Sequence, residues 1–402
     1  MKITKLETIR IKERPNLIWI HVYTDEGLIG LGETFFGAKT VESYIHEYIA
    51  PRVIGRNPLQ IDLLASELIG YLGFRSTGAE VRGNSAFDIA LWDIFGKATD
   101  LPIAQLLGGF TRNQIRTYNT CAGADYIKKS LGQTIANYDF GNKVKKPYDD
   151  LNAFMNCADE LAHSLLEDGI TAMKIWPFDK IAEKSRGLYI SNGDLKKCLE
   201  PFEKIRNSVG NKMDIMVEFH SLWQLLPAIQ IARSLEPYNT FWHEDPIKMD
   251  SLSSLKRYSE VSSAPICASE TLGSRGAFKD LLETNAAGII MLDISWCGGL
   301  SEARKIAAMA EAWHLPVAPH DCTGPVVLCA STHLSLNLPN ALIQESVRAF
   351  YNTWYKDLVN ELPIVKNGMI TVPKGPGLGL ELRKDIDQRF NVHRNQTDLN
   401  DV

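Results

Sequence analysis

The amino-acid sequence predicts an α/β protein: a closed parallel barrel of eight strands, preceded by a smaller α+β region. Three observations carry that prediction. From about residue 114, short apolar runs alternate with segments of helical spacing, the grammar of a parallel sheet with crossover helices. Most of the runs recur at nearly constant intervals, one βα unit apart. Each run after the first also ends on an ionisable residue, which places those groups at the carboxyl ends of barrel strands, where barrel active sites are built.

Residues 1 to about 50 alternate apolar and polar positions through Ile18, Ile20 and Val22, with Gly27 and Gly30 marking a turn and a helix expected over Val41–Ile49. From Pro58 to Gly109 the spacing becomes helical, with Leu63, Leu64 and Leu68, then Ala86, Ile89, Ala90, Trp92 and Phe95 on recurring faces. Arg116 to Thr120 opens the barrel. The runs TAMKIW, DIMVEF, TFWHE, APICASE, AGIIMLD, LPVAPH and ALIQE follow. Their terminal residues are Lys174, Glu218, Glu244, Glu270, Asp293, His320 and Glu345; the first step is 44 residues and the others are 26, 26, 23, 27 and 25. Charges inside the strands would be buried without partners, whereas at their ends they share one face. A single acid so placed reads as a loop residue or an ion pair; seven in phase read as a site. The repeat stops near Leu358, where VKNGMITVP reads as a strand and the end is polar. GPGLG lacks the six-residue phosphate-binding fingerprint and opens no apolar helix, so it reads as a turn. The expected organisation is 1–111, 112–357 for the barrel, and 358–402.

Composition narrows the partners. The 402 residues carry 43 Lys plus Arg against 48 Asp plus Glu, a net charge of −5, without the basic footprint that nucleic acid requires. The N-terminal MKITKLETIRIKERP has no apolar core of a secretory leader, so a cytoplasmic protein is expected. The charge-free stretch from Cys322 to Gln344 contains two prolines, His333 and Asn337 and reads as protein interior, with no membrane span. Seven cysteines without a CxxC pair read as reduced core thiols.

Glu218, Glu244 and Glu270 end three consecutive strands and would stand side by side. Three hard oxygen donors with open positions suit Mg²⁺. Asp293 and His320 end the next two, where an aspartate holding one imidazole nitrogen leaves the other as a general base. Lys174 and Glu345 flank the same mouth and could hold a bound carboxylate. Fixed positive charge there would stabilise the enediolate formed when a proton leaves the carbon α to that carboxylate.

These residues lie in a chain that resembles the enolase superfamily, and within it the mandelate racemase group. The resemblance is carried by AFDIALWDIFGKATDLPIAQLLGG, TAMKIW, the acids of VEFH, HEDP and ASET, LDISWCGGLSEARKIA, PHDCTG and PGLGLEL. It implies a modified TIM barrel, (β/α)₇β, under an α+β capping domain formed by the N-terminal region and the C-terminal tail, with Mg²⁺ on the three acids. The group's racemases carry a second lysine two residues after the first; here the motif is Lys174-Ile175-Trp176, so that base is missing. His220 lies where the group's acid-sugar dehydratases, galactonate- and gluconate-dehydratase-like enzymes, hold the acid that protonates the departing hydroxyl. The expected activity is therefore dehydration of an aldonate or aldarate to a 2-keto-3-deoxy acid, with Lys174, His220, Asp293, His320 and Glu345 as the reacting set. Phe35, Phe36 and Arg75 on capping loops, and Trp176 and Trp223 near strand ends, are candidates for substrate specificity. Cycloisomerisation of an anhydro-sugar acid or lactone, or epimerisation, would use the same enediolate; a non-catalytic sugar-acid binding protein would show decayed ligands. The expected partners are a small sugar acid and further copies of the chain.

Overall fold

The computed structural model describes residues 1–70, 73, 77–126, 128 and 148–401. Strands β1 (Ile3–Ile11), β2 (Arg14–Thr24) and β3 (Ile29–Phe35) form an antiparallel sheet, with Thr8 opposite Ile20 and Trp19 opposite Glu33. Strand alternation splits β2 between two cores: Leu17 and Trp19 join the large core that runs through the barrel, while Ile18, Ile20 and Val22 pack against the cap helices. Both faces of this sheet are therefore covered. The helix Ala79–Thr99 lies close against it, and Gly32 permits the approach, since a Cβ there would stand 1.8 Å from the Ala86 carbonyl oxygen.

The barrel follows as β4 (Ile115–Thr120), β5 (Ala172–Ile175), β6 (Asp214–Glu218), β7 (Trp242–Glu244), β8 (Ile266–Ala268) and β9 (Ile289–Ile290), each parallel to the next. Val317 bridges Ile290 on one side and Ala341 on the other, and β10 (Gln344–Ser346) returns to β4 with Glu345 opposite Tyr118. The ring thus has eight positions, the seventh held by a bridge and by His320 N–H donating to the Leu292 carbonyl at 2.9 Å. Inside it, Tyr118, Ala172, Met216, Trp242, Cys267, Met291, Ala318 and Ile343 form one apolar layer, a residue from each position. One pleat period later, two residues on, come Thr120, Lys174, Glu218, Glu244, Asp293, His320 and Glu345. The step is three only from Cys267 to Glu270, where pairing ends at Ala268. The apolar layer floors the site, and the same inward phase raises the ionisable ring above it.

The charge-free segment is interior. Every residue of the helix Pro325–Asn337 is buried, and Glu33 of β3 accepts from its Val326 and Val327 N–H groups at 3.1 and 2.9 Å and from Trp19 Nε1 at 2.5 Å. Among the described residues, no helix is long and apolar enough to cross a membrane. The stretch VKNGMITVP is a hairpin and not one strand: β11 (Ile364–Lys366) and β12 (Met369–Thr371) turn at Asn367 and Gly368, with φ of 51° and 69°. The polar end forms β13 (Val392–Asp398), which joins the edge of the first sheet with Leu6 opposite Thr397. GPGLG is a structural turn; Leu378 N–H donates to buried Asp93 at 2.9 Å, and a Cβ on Gly377 would meet that carboxylate at 2.1 Å. All seven cysteines are free thiols, and all but Cys157 are buried.

Candidate active site

Lys174, Glu218, Glu244, Glu270, Asp293, His320 and Glu345 are all buried and all meet at the carboxyl end of the ring. Lys174 Nζ stands 2.5 Å from Glu244, 3.0 Å from Glu345 and 3.4 Å from Glu218. Burial opposes its charge, but Glu244 and Glu345 outweigh it, and its pKa stands well above that of a free lysine. Glu345 is fixed by the Asp321 N–H at 2.8 Å and by the Thr120 hydroxyl. Glu244 accepts from Trp242 Nε1 at 2.9 Å.

One carboxylate oxygen from each of Glu218, Glu244 and Glu270 lies within 4.8 Å of the others. Five buried carboxylates here share two cationic partners, Lys174 and His320. Burial lifts Glu218 to about 7 against the pull of Lys174, and it lifts Glu244 well above the usual range, with the field of Glu218 adding to it. A cluster with this deficit of positive charge takes up either protons or a cation, and its all-oxygen donor set fits a hard divalent ion.

Two histidines stand over this floor, each held by an aspartate. His320 Nδ1 lies 2.8 Å from Asp293, whose other oxygen accepts from Ser295 N–H and Oγ, both at 2.7 Å. His320 Nε2 lies 2.9 Å from Glu270. Burial disfavours the charged ring, yet Glu270 and Glu345 raise its pKa well above the ordinary histidine value. His220 Nδ1 lies 2.7 Å from Asp179, a fully buried residue at the start of the helix Asp179–Ser185. His220 and Ser221 both have positive φ, 48° and 56°, and their N–H groups are tied to the Glu218 carboxylate at 2.6 Å and the Asp245 carbonyl at 2.8 Å. That turn is costly for side-chain-bearing residues and aims the ring into the mouth. His220 follows the third ring strand and His320 the seventh position, so they face each other across the ring.

Between them lies a narrow cavity lined by Phe36, Thr120, Tyr126, Lys174, Trp176, Glu218, His220, Glu270, Trp296, His320 and Cys322. Of the specificity candidates, Phe36 and Trp176 line it, and Phe35 lines an adjoining space. Trp223 is buried in the large core and is absent from that lining; it follows the left-handed turn at His220 and Ser221, which changes the phase that sequence spacing assumes. Arg75 lies outside the described residues. The cap arginine found beside the site is Arg82, whose guanidinium covers Trp296 at 4.4 Å and donates to Thr77 O at 2.7 Å. Sequence spacing also passed over Thr120, Asp179 and Trp296. Thr120 was findable as the eighth member of the in-phase ring; Asp179 sits beyond its strand and carries no periodic signal.

The fold and this ring match known proteins over most of the chain. Residues 7–108 match the N-terminal domain of mandelate racemase and muconate lactonizing enzymes, and residues 156–386 match the enolase C-terminal domain-like model. The chain belongs to the mandelate racemase/muconate lactonizing enzyme family of the enolase superfamily. Within this family it is 29% identical over 97% of its length to a D-xylonate dehydratase of Haloferax volcanii, spanning 89% of that protein. It is 30% identical over 97% of its length to a D-galactonate dehydratase of Xanthomonas campestris, spanning 94% of it. A crystal structure of a mandelate racemase subgroup enolase from Agrobacterium tumefaciens is 72% identical, with a TM-score of 0.90 and full coverage of both chains.

Proposed function

We propose that this protein is a Mg²⁺-dependent acid-sugar dehydratase, a hydro-lyase that converts an aldonate or aldarate to its 2-keto-3-deoxy acid. The observation that carries this reading is the pair of aspartate-held histidines facing each other across the carboxylate floor. Similarity to sugar-acid dehydratases over almost the whole chain supports it. Glu218, Glu244 and Glu270 would hold Mg²⁺, which when bound supplies fixed positive charge beside the substrate carboxylate. Lys174 donates to a carboxylate oxygen of the substrate, adding to the stabilisation of the enediolate. With Mg²⁺ in place of a ring proton to offset the carboxylates, His320 would be neutral, and its Nε2 takes the proton from C2 while Asp293 holds Nδ1. His220 Nε2 delivers a proton to the 3-hydroxyl, which leaves as water, and the resulting enol tautomerises to the 2-keto-3-deoxy acid. Opposed histidines favour anti loss of the C2 proton and the hydroxyl.

Trp176 stands where the group's racemases carry a second lysine, and it packs edge-on against His220 at 5.7 Å. That leaves one base for C2 and favours elimination over two-base racemisation. The test is incubation with Mg²⁺ and a panel of aldonates and aldarates, followed by assay of 2-keto-3-deoxy product and its mass. Loss of 18 mass units is expected. A product of unchanged mass would mean cycloisomerisation or epimerisation instead, and no conversion anywhere in the panel would refute the dehydratase reading.

A further inference from the structure

One cap residue contacts two aromatic walls of the catalytic cavity while standing outside its lining. Arg82 lies near the start of the helix Ala79–Thr99. Its guanidinium covers the Trp296 ring at 4.4 Å and stands 5.6 Å from the centre of the Phe36 ring. The two rings are 5.8 Å apart, and both line the cavity. Trp296 in turn packs against His320, with ring centroids 5.2 Å apart and planes 35° from parallel. A chain of contacts thus runs from the cap arginine to the base.

The same guanidinium holds the backbone that carries Phe36. Its Nη1 donates to the Phe35 carbonyl, and Nε donates to the Thr77 carbonyl at 2.7 Å. Phe36 N–H donates to the Asn16 carbonyl at 3.0 Å, so both polar groups of the Phe35–Phe36 peptide are fixed. Phe36 has φ of 69°, a left-handed conformation that a residue with a side chain keeps only where its surroundings impose it. Thr34 adds a second tie between cap and barrel: its hydroxyl donates to the Ser295 carbonyl at 2.8 Å, immediately before Trp296. Ser295 is itself bonded to Asp293, the carboxylate that holds His320. Among the described residues no carboxylate pairs with Arg82; its hydrogen bonds go to two carbonyls and its face to two rings. Burial pulls its pKa down to about 10 against the fields of Asp293 and Glu270. A planar guanidinium can hold a carbonyl and cover a ring at once, which a lysine cannot.

We propose that Arg82 is a positioning residue for proton removal at C2: it clamps Phe36 and Trp296 into one wall, and that wall fixes the His320 ring against the substrate. The proposal rests on His320 as the base and extends its action to a group that touches no reacting atom. Its test uses the full-length Mg²⁺-loaded protein and the acid sugar of the panel that the wild type converts fastest. A displacement of about 1 Å in reacting groups can cost about 100-fold in rate, so Arg82→Ala should lower kcat by about 10- to 100-fold. KM should change little, since the contacts to the reacting carboxylate are untouched. The isotope effect on substrate deuterated at C2 should rise, because proton removal becomes the slow step. Millimolar guanidinium chloride should restore part of the lost rate to Arg82→Ala, and sodium chloride at the same concentration should not. Arg82→Lys keeps the charge and loses the fork; it should show the same rise in isotope effect and carries the test if Arg82→Ala does not fold.

A higher KM at unchanged kcat would make Arg82 a substrate contact. A lower rate with neither guanidinium recovery nor a larger isotope effect would make it a general support of the cap. Either result, or wild-type kinetics, would overturn the proposal and leave dehydration standing. If the wild type converts no acid sugar, the dehydratase reading fails, and deuterium entry at C2 in D₂O across the same panel decides the clamp: slower entry in Arg82→Ala, recovered by guanidinium, supports it, and unchanged or absent entry overturns it.

Discussion

Asp179→Asn separates the two proton transfers. The change keeps the size of the side chain and removes the charge 2.7 Å from His220 Nδ1. Asp179 is fully buried, so solvent does not replace what is lost. A hydrogen bond to a charged group in such a place contributes about 1.5–3 kcal/mol, which is a factor of about 10 to 100 in rate if it acts mainly in the step His220 serves. Asparagine can also donate to Nδ1, which needs the lone pair there and so disfavours the doubly protonated ring that delivers a proton from Nε2. Formation of 2-keto-3-deoxy acid should therefore fall by about 10- to 100-fold. Deuterium entry at C2 of unreacted substrate in D₂O should persist, because His320 and Asp293 are untouched. A 3-deoxy-3-fluoro substrate supplies a leaving group that needs no protonation, and on it the variant should lose little. A general loosening of the site would instead lower exchange, elimination and fluoride release together. That result would refute the positioning role of Asp179 and, with it, the assignment of His220 as the acid.

His320→Asn should abolish both C2 exchange and product formation, whereas His220→Asn should abolish only the second; NMR in D₂O reads both. Chelation should lower the melting temperature, because the crowded carboxylates lose their counter-charge, and Mg²⁺ at 100 times its Kd should restore about 2.7 kcal/mol, measured by thermal unfolding. His333 accepts from Ala104 N–H and donates to the Leu378 carbonyl, and burial lowers its pKa to about 4. Its contribution is present above the unfolded value of about 6.5 and is lost as pH falls towards 4, a change of about 3 kcal/mol; His333→Asn should flatten stability against pH in that window. Gly32→Ala drives a methyl into the Ala86 carbonyl and should destabilise the protein by about 3 kcal/mol, read from chemical denaturation.

The catalytic ring was legible because two periodicities coincide in it. Inward-facing strand positions repeat every two residues, and most βα units here repeat about every 25, so Lys174 through Glu345 could be placed on one rim without coordinates. Thr120 belongs to the same phase and was overlooked only because a hydroxyl carries no charge to mark it. The hairpin at Asn367 and Gly368 was marked as well, by the Asn-Gly pair that favours positive φ at both positions. Asp179 had no such mark. Its place depends on how the chain folds back after β5, a tertiary matter that spacing from Lys174 does not encode. Trp223 and Trp296 show the same limit, since each lies beyond a strand end, yet Trp296 reaches the cavity and Trp223 the core.

The cap contributes from positions remote in sequence, and the sheet explains how it can do so accurately. Leu17 pairs with Phe35 and Trp19 with Glu33, so Phe35 and the adjoining Phe36 ride on the same two strands as Arg14. Glu33 fastens those strands to the barrel by capping the helix Pro325–Asn337, which begins five residues after His320. Burial pushes that carboxylate up to about 8 against the backbone donors, and a Cβ at Gly324 would strike it at 2.3 Å. A misplaced helix would leave this acid buried without its donors, so the contact fixes one arrangement. Residues of β2 and β3 can then vary while the ring stays in place, and one buried contact holds the two in register.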